Sequence, residues 1–294
     1  MNSIRRVGLF ANVEIPGMDD AVRAALAILE SHGVEPHLER DLAEFLHSDL
    51  PSGAREDLGD RLDMILVFGG DGTFLRAARQ LRGGKAPLLG INMGSLGFLT
   101  VLKLNEMSEL LPKVLEGDYR IQKRMMLKAR HLRNGEELGV FRALNDAVIH
   151  MSPGNRLVEF KLSLSEQPLG QFRSDGLIIS TPTGSTAYSM SAGGPVVYPG
   201  MDALLATPIC PHSFSLRPVV VGGDKQFEIL IGDRSGMAAL SMDGQDSAEV
   251  LPGDILEIRQ SRKVIPLLLP PGIRFTTLLQ EKLGWAKQGE EDAP

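Results

Sequence analysis

Residues 63–81, DMILVFGGDGTFLRAARQL, constrain the fold more than any other stretch of this chain. Met64 to Phe68 run without a polar interruption and end at Gly69-Gly70, the pattern of a strand buried on both faces of a parallel sheet. Gly69, Gly70 and Gly72 then pass directly into Phe74, Leu75, Ala78 and Leu81 at helical spacing. A strand feeding a helix through a glycine loop puts that loop at the carboxyl edge of an α/β sheet, where such folds bind ligands. The glycines leave backbone N–H groups bare for a phosphate chain, and the helix start adds the positive end of its dipole. A tight turn that needs glycine is the plainer alternative. Asp71 supplies no phosphate affinity. It reads as a helix cap, as a general base facing a hydroxyl, or as a holder of a metal carried in on a nucleotide. Arg76, in the first turn of the helix, reads as a phosphate contact or as a solvated surface cation.

The same alternation frames this segment. RRVGLFANV (5–13) is strand-like, and Asp19 and Asp20 open a helix with Val22, Ala25, Leu26 and Leu29 on one face, stopped at Gly33. PLLGINMG (87–94) reads as the next strand. Residues 1–98 are therefore expected to form an α/β domain, a Rossmann-like parallel sheet covered by helices. An amphipathic helix over 104–116 follows, and then the character changes. Two β-like arms flank Asn134-Gly135, a pair that tolerates positive φ and signals a hairpin. Further runs at 157–164, 171–180, 213–221, 226–231, 237–242 and 254–260 are separated by Gly, Pro, Asp or Ser, so 99–271 is expected to be an all-β sandwich domain. Phe275 to Trp285 predicts a terminal helix within the last segment, 272–294, and AKQGEEDAP after it a loose tail.

The second chemical segment is FRSDGLIISTPTGSTAYSMSAGGP, residues 172–195. A strand leads into Pro182 to Thr186 and a helix start, so hydroxyls and small residues form a wall able to bond ribose and phosphate oxygens while a flat base approaches. A polar Ser/Thr turn is the plainer alternative. Arg173 and Asp175 just before it offer a cation for phosphate and an acceptor for hydroxyl or amino groups. Asn145-Asp146 suits an adenine edge and vicinal ribose hydroxyls, or a turn or bulge. Arg156, Gln245 and the DGQ turn at 243–245 are weak signals taken one by one.

Absences narrow the class. There is no G-x-x-x-x-G-K-[ST], and no G-x-G-x-x-G follows a strand, so neither an ordinary P-loop nor a standard dinucleotide fingerprint is present. The six His show no metal-ligand spacing, and no set of protein metal ligands is read. A net charge of −6 and a pI near 5.6 provide no global basic field for nucleic acid or an anionic membrane. The apolar runs fall far short of the roughly 20 residues that cross a bilayer. One cysteine, Cys210, and a start without a signal-peptide core point to the cytoplasm.

GGDGT (69–73), LND (144–146) and SDGLIISTPTGSTAYSMSAGGP (174–195) together resemble the bacterial NAD kinases, in order and spacing, across nearly the whole chain. GGDGT alone is shared with diacylglycerol-type lipid kinases and, loosely, phosphofructokinases; the longer motif is far more specific. The resemblance implies an ATP-dependent kinase that phosphorylates the 2′-hydroxyl of the adenosine ribose of NAD to give NADP. It implies an N-terminal α/β domain and a C-terminal β-sandwich, the last helix packing on the first domain, and NAD held between them. Asp71 matches the family's proposed base. Gly72, Asn145, Asp146, Arg173, Asp175, Thr186, Ala187, Tyr188, Ser189, Met190, Ser191 and Gln245 match positions lining the dinucleotide site, and Arg76 and Arg156 are further members of the set. Mg²⁺ or another divalent cation would come bound to the nucleotide, and the chain would form a homo-oligomer, a dimer or tetramer. Many relatives carry Asn-Glu where this chain has Asn145-Asp146, one methylene shorter, which re-spaces the hydroxyl contact or bridges it by water. A lipid kinase sharing the GGDGT loop and a non-catalytic dinucleotide sensor are the two other functions compatible with these motifs.

Overall fold

The computed structural model describes residues 4–53, 61–81, 85–152, 154 and 157–285, apart from the side chains of 246 and 247. The chain divides into two compact units, Met1–Lys123 with Ile265–Pro294, and Arg124–Val264. The first therefore continues past the change of character at residue 98.

The first unit opens with β1 (Arg6–Ala11), α1 (Met18–Ser31), β2 (Glu35–Glu39), α2 (Arg40–Leu46), β3 (Ser52–Gly53) and β4 (Met64–Gly69). It continues with α3 (Asp71–Gln80), β5 (Leu88–Asn92), β6 (Leu102–Lys103), α4 (Met107–Leu115) and the start of β7 (Arg120–Arg133). Strands β3, β2, β1, β4 and β5 lie side by side in that order, and every pairing is parallel. The apolar run at 64–68 is β4, with all six of its residues buried between β1 and β5. The chain leaves β1 toward β2 on one side and returns to β4 on the other, so the carboxyl ends of β1 and β4 form the topological switch point of the sheet. The pair β2 and α2 was not expected from the sequence, because EPHLE carries too few apolar residues to register as a strand.

The second unit holds the rest of β7, then β8 (Glu136–Ala143), β9 (Asp146–Met151), β10 (Val158–Leu164), β11 (Gln167–Ser174) and β12 (Gly176–Ser180). After a 3₁₀ turn at Gly184–Thr186 come α5 (Tyr188–Ser191), β13 (Ala203–Ile209), β14 (Val219–Gly222), β15 (Gln226–Ile231), β16 (Ala238–Met242), β17 (Asp246–Val250) and β18 (Ile255–Leu269). The last residues of β18 return to the first unit, where Leu267 pairs with Leu88, and α6 (Phe275–Leu283) follows. Two sheets face each other in the second unit. One runs β14-β13-β12-β9-β16-β17; the other contains β11, β10, β15, β18, β7 and β8. Ile149, Ile179 and Leu240 from the first meet Phe160, Phe227 and Ile258 from the second in one buried cluster. The α/β unit followed by a β-sandwich is the architecture expected from the sequence.

Three boundaries differ from the sequence-based expectation. The run at 171–180 is two strands, because the backbone leaves one sheet and joins the other at Asp175, whose N–H donates to Ile209 and whose carbonyl accepts from Met151. Of 213–221 only 219 onward is strand, and its partner β13 was not foreseen. The run at 254–260 extends to Leu269. Within the first unit α6 is tied down by Phe98 against Phe275 at 6.1 Å, by Lys103 to Glu281 at 3.0 Å, and, just before the helix, by Arg120 donating to the Ile273 carbonyl. The expected loose tail, 286–294, lies outside the described residues.

Candidate active site

The glycine loop stands at the switch point of the first unit. Gly69 has φ +151°, and a Cβ there would run into the Thr73 side chain, so the strand turns into the helix within two residues only because this position is glycine. Gly70 is the N-cap residue, and among the described residues no side chain caps α3. The first N–H groups of the helix are therefore left to a ligand or water. A Cβ added at Gly70 or Gly72 meets nothing within 4 Å, so the loop is open on that side.

Asp71 is not the helix cap. Its carboxylate reaches across to residues 98–100: Phe98 N–H donates to Oδ2 at 2.8 Å, while Leu99 N–H, Thr100 N–H and Thr100 Oγ1–H donate to Oδ1 at 3.0, 2.9 and 3.0 Å. Gly97 lies so close to this carboxylate that a Cβ there would overlap Oδ1. Arg76 lays its guanidinium 5.5 Å from the centroid of the Phe10 ring, and its buried Nε has no hydrogen-bond partner among the described residues.

The second unit carries a pocket of about 340 Å³, lined by Asn145, Asp146, Val148, His150, Ala187, Tyr188, Ser241, Asp243 and Gly244. Strand geometry explains the set. Asp146, Val148 and His150 alternate along β9 and so share a face, and Ser241 is paired with Val148 across the ladder. Ala147 and Ile149 point the other way, into the sandwich core.

Asp243 occupies the turn between β16 and β17 with φ +52°, and from there it accepts from the N–H groups of Leu144, Asn145 and Asp146 at 2.9, 2.7 and 3.3 Å. That fixes the backbone at the entry to β9. Asp146 is buried beside it, and burial first, then the charge of Asp243, push its carboxyl up to about 7. The Oδ1 of Asn145 is buried and has no hydrogen-bond partner among the described residues.

The turn after β12 backs this wall. Thr181 donates from Oγ1 to the Leu144 carbonyl at 2.6 Å and from its N–H to the Asn145 carbonyl at 2.9 Å. Gly184 packs against the Asn145 backbone so closely that a Cβ would overlap its carbonyl. Several hydroxyls of the run are spent internally: Ser185 bonds Pro182 and Val197, Thr186 bonds Thr183, and Ser189 bonds Thr207 at 2.8 Å. Ala187 and Tyr188 are the two members of the run that line the pocket; Thr186, Ser189, Met190 and Ser191 are not among its lining residues.

The pocket thus brings together Asn145, Asp146, Ala187 and Tyr188 from the sequence-derived set. Arg173 is exposed on β11, Asp175 stands at the β11–β12 crossing, and Gln245 is exposed next to Gly244, all outside the lining. Arg156 lies outside the described residues. Val148, His150 and Ser241 are additional to the sequence-derived set, which held Asp243 and Gly244 only as part of the DGQ turn. Period-two alternation from Asp146 would have found the first two. Among the described residues no three of His, Cys, Asp and Glu are grouped to hold a metal ion, and no helix is long and apolar enough to cross a membrane.

Comparison with known proteins gives a single answer. Residues 20–119 match the ATP-NAD kinase N-terminal domain and residues 144–268 the ATP-NAD kinase C-terminal domain. The NAD kinase of Syntrophotalea carbinolica is 39% identical over 285 residues, 97% of this chain and 100% of that one. That of Symbiobacterium thermophilum is 46% identical over 222 residues, covering 76% and 78%. Among solved structures, yeast NADH kinase complexed with NADH superposes with a TM-score of 0.87 at 25% identity, covering 97% of this chain and 89% of its own. An NAD kinase from Archaeoglobus fulgidus in complex with ATP gives 0.74 at 26% identity, covering 94% and 98%.

Proposed function

The chain belongs to the ATP-NAD kinase family, and from that premise we propose that it transfers the γ-phosphoryl group of Mg·ATP to the 2′-hydroxyl of the adenosine ribose of NAD, giving NADP and ADP. The observation that carries this reading is the second unit's pocket, which Asn145 and the buried Asp146 line side by side. An amide can pair with an adenine edge, and a carboxyl can bond a ribose hydroxyl in either protonation state. The open glycine loop and the uncapped start of α3 suit the phosphates of the donor.

In the reaction the ribose oxygen forms a bond to the γ-phosphorus, the bond from that phosphorus to the β–γ bridging oxygen breaks, and its electron pair leaves with ADP. The 2′-hydroxyl proton passes to the Asp71 carboxylate and from there to solvent. A divalent cation, bound with the nucleotide, would neutralise charge on the triphosphate. Arg76, Arg173 and Arg156 are assigned to phosphate contacts, and Gly72, Asp175, Thr186, Ser189, Met190, Ser191 and Gln245 to the dinucleotide site with Ala187 and Tyr188. A homo-oligomer in the cytoplasm completes the reading.

Asp71→Asn tests it. The variant is expected to bind NAD within a few-fold of the parent and to lose about 10²- to 10⁴-fold in turnover, the contribution of a positioned base. Calorimetry and an NADP-forming assay check the two halves, and near-normal turnover would remove Asp71 from the mechanism.

A further inference from the structure

The Asp71 carboxylate does not float at the end of its loop; it is one terminus of a hydrogen-bond chain that starts at a buried amide. Asn92, at the end of β5, is 4% exposed. Its Oδ1 accepts from Gly94 N–H at 2.8 Å, while its Nδ2 donates to the Ser95 carbonyl at 2.7 Å and to Thr100 Oγ1 at 3.0 Å. Because one end of the amide faces an N–H and the other a carbonyl, it can stand only one way round. Thr100 is fully buried. Its hydroxyl oxygen already receives the Asn92 proton, so its own single proton is directed to Asp71 Oδ1 at 3.0 Å. The polarity of the chain, Asn92 to Thr100 to Asp71, is therefore set by chemistry.

The consequence for Asp71 is asymmetric. Oδ1 takes three donors, Leu99 N–H, Thr100 N–H and Thr100 Oγ1–H, which exceeds the two lone pairs it has to offer. Oδ2 takes one, from Phe98 N–H, and keeps an acceptor position among the described residues. Gly97 makes the arrangement possible, since any side chain there would occupy the place of Oδ1. Resting on the kinase reading above, we propose that Asn92 and Thr100 are positioning residues for the reaction: the Thr100 hydroxyl, its proton aimed by Asn92, adds a side-chain tether to the two backbone N–H bonds on Oδ1 and so fixes the rotation of the carboxylate that makes Oδ2 the oxygen that receives the 2′-hydroxyl proton. The proton moves from the ribose oxygen to Oδ2 as the phosphoryl group is transferred, and no further reactant is needed. Neither residue is given contact with NAD or ATP.

The split between kcat and KM separates this role from a merely structural one. Thr100→Val keeps the shape and removes the directed proton, and is expected to lower kcat by about 10- to 100-fold, the scale of a displaced catalytic group. KM for NAD and for ATP should stay within a few-fold, and Thr100→Ser should restore kcat. In an Asp71→Asn background, Thr100→Val should add little further loss, because the two residues act as a unit. Thermal unfolding reports whether Thr100→Val has kept its fold. If it has not, Thr100→Ser against Thr100→Ala decides, since both lose the methyl and only one keeps the hydroxyl. Unchanged kcat in Thr100→Val, a rise in KM without loss of kcat, failure of the serine to rescue, or the full loss repeated on Asp71→Asn would each overturn the proposal while leaving Asp71 as base. Normal turnover in Asp71→Asn alone would instead bring down the base reading and the positioning role with it.

Discussion

Two carboxylates at the entry to β9 divide the work between backbone and ligand. Asp243 is spent on three consecutive N–H groups, and its own N–H donates to the Asp146 carbonyl at 3.0 Å, so the turn and the strand hold each other. Asp146 is left buried next to that charge. A carboxyl pushed up to about 7 is favoured by the fold in its neutral form. Its contribution to stability is complete below the ordinary carboxylate value of about 4 and is lost as pH rises through about 7. Asp146→Asn, neutral throughout, is expected to show a flatter fall of the urea midpoint between about pH 5 and about pH 8 than the parent. Matching slopes in the two proteins would contradict it. Asn145-Asp146 is visible in the sequence as a polar pair ahead of an apolar run. Asp243 is not, because its partners stand 97 to 99 residues away and nothing in a DGQ turn points to them.

Among the elements, the strands whose residues are buried on both sides are the ones that sequence periodicity finds. β4 is uninterrupted apolar sequence and β12 nearly so, and both lead into turns that carry chemistry. The hairpin of β7 and β8 is equally plain, because Asn134 and Gly135 adopt φ of +52° and +83°, the backbone such a two-residue turn needs. β2 and β13 escape notice: the first is largely polar, and the second, ALLATPI, mixes alanine, threonine and proline among its leucines. The turn after β12 reads in the sequence as a wall of hydroxyls for a ligand, yet its buried hydroxyls hold the turn together and place Ala187 and Tyr188 at the pocket. Gly184 is the hinge of that packing. Gly184→Ala would drive its methyl into the Asn145 carbonyl and is expected to cost about 1–3 kcal/mol of stability, as overpacking does, and to weaken NAD binding by displacing the pocket wall. Denaturant unfolding and NAD titration check the two effects, and binding unchanged at full stability would show that the turn does not set the wall.

At the scale of the whole molecule, the sequence made the succession of an α/β unit and a β-sandwich readable, since the change from helical to period-two patterning is strong. The unit boundaries were less readable: the first unit takes in α4 and then recovers the chain's last strand residues and α6, a closure that depends on Phe98, Lys103 and Arg120 meeting residues more than 150 positions later. Each unit carries its own part of the proposed chemistry, an open glycine loop with a tethered carboxylate in one and a pocket of about 340 Å³ lined by Asn145 and Asp146 in the other, and the family match covers both. The most direct test supplies the purified protein with NAD and Mg·ATP and measures NADP with a dehydrogenase specific for it, in parallel with diacylglycerol in place of NAD. The account predicts NADP formed in proportion to ADP, abolished when either substrate is withheld, and no phosphorylated lipid. NAD binding with no NADP formed, or phosphate transferred to the lipid, would contradict it.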